Sequence, residues 1–167
     1  IAFWYKQLKM TEKSDSITAI MKATYPQGQW TRGELLNAFN LEKSADKKKE
    51  IVDAYMKKFY TTDNNRSTGD FMQQQVANAY ANEKNWAVFM EYTKNFSAAA
   101  RASLYNNVSW NMAEAKEDLN EAKKMSKEAT TWAKNEIKSP TEKKPDMITK
   151  EKWAEQRKST YGMYGDT

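Results

Sequence analysis

The 167-residue chain contains no cysteine and no histidine, and only five glycines and three prolines. Without thiol or imidazole side chains there is no cysteine nucleophile, no Ser-His-Asp triad, no zinc site built from Cys or His, and no disulfide within the chain. Catalysis is left with carboxylate, lysine, tyrosine or serine chemistry. The shortage of Gly and Pro argues against an all-β fold, which needs a turn signal every ~8–12 residues. No apolar run approaches the ~20 residues of a membrane-spanning helix, and no Gly-rich run offers a phosphate loop. No secretory apolar segment with a cleavage site opens the chain, and its first residue is Ile1, so a processed product or a piece of a longer protein is expected.

What is present favours helices. The chain is 40% hydrophobic, 13% aromatic and 29% charged, enough apolar material for a core of ordinary size. Its 27 basic and 22 acidic residues give a formal charge of +5, with the signs mixed along most of the sequence. Mixed signs read as solvated helix faces more than as a nucleic-acid footprint, although the pI of about 9.2 is compatible with a polyanionic partner.

Apolar residues recur at helical spacing in segment after segment. Ile17, Ile20 and Met21 form a short stripe. Thr31 to Glu34 has the form of a capping box leading into Leu35, Leu36 and Phe39. Ser44 is placed to cap a helix whose apolar side carries Ile51, Val52, Tyr55 and Phe59. A fourth stripe holds Phe71, Met72, Val76 and Tyr80, and a fifth Trp86, Phe89, Met90, Thr93 and Phe96. Tyr105, Val108 and Met112 follow, then a run from Leu119 through Ala122, Met125 and Ala129 to Trp132 and Ala133. A last helix starts near Thr149 with Trp153 on its apolar side. Links are expected near 61–69, which is polar, and near 138–148, which holds two prolines. Residues 1–10 read either as a helix end or as a strand. The pattern predicts an all-α fold of about eight helices, paired as antiparallel hairpins in a single domain over 1–167.

Each candidate site has a simpler structural reading. Glu114, Glu117, Asp118 and Glu121 gather enough carboxylate for a calcium ion, but no glycine-bearing calcium loop is present, and Asp118 as a helix cap with Glu121 in the first turn accounts for them. Ser44 to Lys47 has the Ser-x-x-Lys spacing of some serine hydrolases, yet the partner motifs are absent and Ser44 stands where a cap belongs. Asn65, Asn95 and Asn107 head glycosylation-type triplets, incidental if the source is bacterial. Most aromatic residues fall on apolar stripes. Trp30, Tyr92 and Trp110 do not, and they are the candidate surface for a partner or, in the alternative reading, a glycan. No catalytic residue, metal or cofactor is assigned.

Serial hairpins invite a search for internal repeats. Tyr105, Val108 and Ser109 have the spacing of the first helix of a tetratricopeptide repeat, and Ala122 and Ala129 that of the small pair in its second helix. The turn is one residue too long and the closing proline is missing. Tyr161, Tyr164 and Gly165 repeat the first-helix pattern just before Thr167. The segment from Asn106 to Glu114, with that from Lys158 to Thr167, resembles the tetratricopeptide-like region of bacterial envelope proteins of the TlpA-type thioredoxin family, best from about Tyr105 onward. In that family a thioredoxin-fold domain with a Cys-x-x-Cys pair follows the helical region. The resemblance implies a right-handed array of about four hairpins in the periplasm or envelope, acting as a non-catalytic scaffold or protein-interaction region. An adjacent thioredoxin-like domain of the same chain is one partner it implies, while the cysteine pair has no counterpart here.

Overall fold

The computed structural model describes the backbone of residues 1–60 and 63–164 and the side chains of 1–60 and 66–164. Among them the chain forms nine α-helices and no strand. They fall into two compact units, Ile1–Lys84 and Asn85–Thr167.

The first unit is built from α1 (Ala2–Gln7), α2 (Thr11–Thr24), α3 (Gln29–Leu41), α4 (Ala45–Phe59) and α5 (Asp63–Asn82), each packed on the next. Val52, Tyr55 and Phe59 of α4 and Met72, Val76 and Tyr80 of α5 supply most of its buried large side chains. Tyr55 is fully enclosed and packs on Phe59 at 5.4 Å, yet among the described residues its hydroxyl has no hydrogen-bond partner.

Several local expectations change. The link expected at 61–69 gives way to helix from Asp63 onward, with Thr61 and Thr62 outside the described residues. Tertiary contact overrides weak helix propensity there. A Cβ on Gly69 would come within 2.6 Å of the Met56 sulfur and 2.8 Å of the Tyr60 ring, so this glycine marks close approach of α5 to α4 and not a turn. Beside it the Tyr60 hydroxyl donates to Asp70 at 2.8 Å. Helix α3 begins at Gln29, which puts the supposed capping box inside the helix, and Glu34 pairs with Lys22 of α2 instead. Ser44 is the N-cap of α4 by position, but its hydroxyl makes no capping bond: the carboxylate of Glu83, just past the end of α5, accepts from Ala45 N at 2.8 Å. On α2 the buried residue is Ser14, which donates to the Ala2 carbonyl at 3.1 Å, while Ile20 lies exposed. Residues 1–10 resolve to α1 and a tight turn.

The second unit is built from α6 (Trp86–Thr93), α7 (Ala98–Ala115), α8 (Leu119–Lys138) and α9 (Lys150–Tyr161). Its main packing is α7 against α8. Only residues 116–118 join these two helices, so α8 turns back along α7. Chain reversal here uses no glycine. Lys116 sits at φ 56°, and the Glu117 and Lys116 amides return to Met112 and Ala113 at 3.0 and 3.1 Å, the pattern of a Schellman ending. Lys9 and Lys84 end α1 and α5 in the same left-handed conformation. A lysine there meets the negative end of the helix dipole, which offsets part of the steric cost of its Cβ. From Ser139 to Thr149 the chain carries no helix, and the Thr149 hydroxyl accepts from Lys152 N at 3.3 Å at the start of α9.

Candidate functional site

Tyr105, Val108 and Ser109 of α7 and Ala122 and Ala129 of α8 are all buried. Small side chains at Ser109, Ala122 and Ala129 let the two backbones come close. Tyr105 stacks on Phe89 of α6 at 5.6 Å, and its hydroxyl lies 3.1 Å from that of Thr93. Burial pushes this phenol above its ordinary pKa. Thr93 is itself enclosed and donates back to the Phe89 and Met90 carbonyls of its own helix, so it is the contact with the Tyr105 hydroxyl that links α6 to α7.

Asp118 stands at the N-cap of α8, but its side chain does not cap. It accepts from the Trp86 indole nitrogen at 2.9 Å, tying the α7–α8 turn to α6, and its own φ of 46° is held there. Glu121 pairs with Lys124 at 2.7 Å. Among the described residues no group of three or more carboxylates stands close enough to hold a metal ion.

At the other end of α8, Glu136 and Arg157 form a buried ion pair, 3% and 5% exposed. Arg157 also donates to the Glu136 carbonyl at 2.9 Å and lies over the rings of Trp153 and Tyr161 at 4.8 and 5.3 Å. Glu136 in turn accepts from the Thr141 amide at 2.8 Å and from its hydroxyl. Burial pushes the Glu136 carboxyl up, but the Thr141 bonds and the Arg157 charge outweigh it and hold the group below its ordinary value. This cluster fixes α9 and the 139–149 link against α8. Tyr161 and Tyr164 pack on Trp132 at 4.9 and 6.1 Å. Gly165 lies outside the described residues.

The three surface aromatics belong to different units. Trp30 belongs to α3 in the first unit, while Tyr92 and Trp110 belong to α6 and α7 in the second. Trp30 and Trp110 are 39% and 44% exposed, and Tyr92 is half-buried edge-on to Phe96 at 71°. The exposed pair Phe3 and Trp4 also meets edge-on, at 73°. Neither pair makes the flat platform on which a sugar ring stacks.

Sequence spacing did not single out the lysines of α8. A groove of about 650 Å³ runs along the α7–α8 hairpin, with Ala113, Ala122 and Ser126 among the residues lining it and Lys123, Lys127 and Lys134 on its α8 side. No acidic residue lines it. Among the described residues no helix is long and apolar enough to cross a membrane. No protein-family model matches the chain, and no curated protein or solved structure matches it.

Proposed function

We propose that the chain is a non-catalytic helical scaffold, a protein- or peptide-interaction region of a larger bacterial envelope protein related to TlpA-type thiol-disulfide oxidoreductases. The observation that carries this is the α7–α8 hairpin, in which Tyr105, Val108, Ser109, Ala122 and Ala129 are buried as the tetratricopeptide pattern requires of those positions. Stacked hairpins of this kind bury a continuous core and leave side chains on a curved surface free for a partner. The right-handed stacking, the periplasmic setting and the neighbouring thioredoxin-like domain rest on the sequence resemblance.

Fluorescence anisotropy with labelled acidic, basic and uncharged peptides, added to the whole chain, tests the proposal. Saturable binding of one class with no turnover of ester, glycoside or phosphate substrates is the expected result. Failure of every peptide to bind, or steady turnover by the purified chain, overturns it.

A further inference from the structure

The lysines of the α7–α8 groove are arranged unlike the other charges of their helix. Lys124 has Glu121 three residues before it and Glu128 four after it, and it pairs with Glu121. Glu128 is taken by Arg101 of α7 at 2.8 Å. Lys123, Lys127 and Lys134 have no acidic residue three or four positions away on either side, and among the described residues their ammonium groups have no ion-pair partner. At 100° per residue the three fall within about 40° of one another, forming one stripe on the wall of the groove. Lys123 and Lys127 repel each other at a four-residue spacing, a like-charge pair that weakens a helix in isolation.

From these observations we infer that the groove between α7 and α8 docks an acidic peptide segment of a partner protein. This rests on the interaction function proposed above and names the partner's chemistry. Charge complementarity carries it: an uncompensated row of three cations beside a groove with no acid in its lining. A partner's carboxylates supply what the helix itself withholds and relieve the Lys123–Lys127 repulsion. The dimensions agree. From Lys123 to Lys134 the helix advances about 16 Å, the span of about five extended residues. Ala113, Ala122 and Ser126 leave room for a backbone to lie in the groove, and ordinary ligand sites occupy about 300–1,000 Å³. A nucleic acid is less well served, since three lysines on one helix make a short footprint for a polyanion whose affinity grows with each phosphate neutralised.

The test titrates the whole chain against a fluorescein-labelled peptide of alternating Glu and Ala, about twelve residues long, with Gln/Ala and Lys/Ala counterparts and a single-stranded oligonucleotide of equal charge. The proteins compared are the native chain, a groove variant (Lys123→Gln, Lys127→Gln, Lys134→Gln), its Arg counterpart at the same positions, and an equal-charge control (Lys47→Gln, Lys57→Gln, Lys58→Gln) in α4. Glutamine and arginine are good helix formers, and circular dichroism checks each fold. The expected result is saturable binding of the Glu/Ala peptide that weakens with salt. It falls about tenfold in the groove variant, less than twofold in the α4 control, and persists with arginine. Equal loss in both triple variants means net charge alone is responsible and overturns the inference, as does tighter binding of the oligonucleotide. Binding of only the Lys/Ala or Gln/Ala peptide overturns the acidic partner while leaving the interaction function standing. Binding of no peptide overturns both.

Discussion

Replacing Arg157 with methionine isolates the largest single electrostatic commitment in the second unit. The substitution keeps much of the apolar stem but removes the guanidinium and leaves the Glu136 carboxylate, 3% exposed, with only Thr141 for company. Removing one partner of a buried ion pair costs about 3–5 kcal/mol, because the remaining charge is stranded out of water. Two donated bonds to the Glu136 carbonyl and the cation over Trp153 and Tyr161 are lost with it. For a unit of this size each kcal/mol moves the melting temperature by about 4–8 °C, so a fall of at least about 12 °C is expected. Four of the six tryptophans, Trp86, Trp110, Trp132 and Trp153, lie in this unit, so tryptophan fluorescence during urea or thermal unfolding follows it. The paired change Glu136→Met with Arg157→Met removes both charges and should recover most of the loss. If Arg157→Met costs less than about 1 kcal/mol, or the double variant is as unstable as the single one, the ion pair does not hold α9 in place.

Three further perturbations test separate parts of the structure. Tyr55→Phe removes a buried hydroxyl that has no partner among the described residues and should stabilise the first unit by about 1 kcal/mol in urea unfolding; a loss of similar size means that the hydroxyl is bonded. Lys116→Gly relieves a left-handed residue at φ 56° and should raise the midpoint of the second unit by the equivalent of about 0.5–1 kcal/mol, whereas a lowered midpoint removes the strain argument. The Glu136 carboxyl is held below its ordinary value in the folded chain, so the unfolded chain binds more protons as the solution is acidified. Its stabilising contribution is therefore complete above about pH 4.3 and lost as the pH falls through the lowered folded value. With no histidine to titrate in between, the urea midpoint should be flat from pH 7 to 5 and decline below that. A steady decline between pH 7 and 5 contradicts this.

Long stripes with large apolar residues were readable from sequence because their spacing alone determines which side must be buried. Val52, Tyr55 and Phe59, or Tyr105, Val108 and Met112, had no other face available. Helix beginnings were less readable, because a cap depends on which side chain reaches the amide first. Glu83 comes from 38 positions away to accept from the first amide of the helix that Ser44 was expected to cap, and Asp118 is diverted to Trp86. Gly69 looked like part of a loop and is a packing contact, a distinction that exists only once Tyr60 and Met56 are in place. The Glu136–Arg157 pair joins residues 21 apart across a proline-containing link, and no short-range spacing points to it. The groove lysines left a trace in the sequence: Lys123, Lys127 and Lys134 lack the acidic neighbours that Lys124 has on both sides.

The α7–α8 docking surface is tested most directly by a two-dimensional nitrogen–proton NMR titration of the whole chain with the Glu/Ala peptide. The expected result is saturable amide shifts concentrated between Ser109 and Lys134 on the groove side, with the α4 lysines Lys47, Lys57 and Lys58 unmoved. Shifts spread over lysine-bearing segments in every helix, or no shift at peptide concentrations that saturate ordinary peptide-binding domains, contradict it.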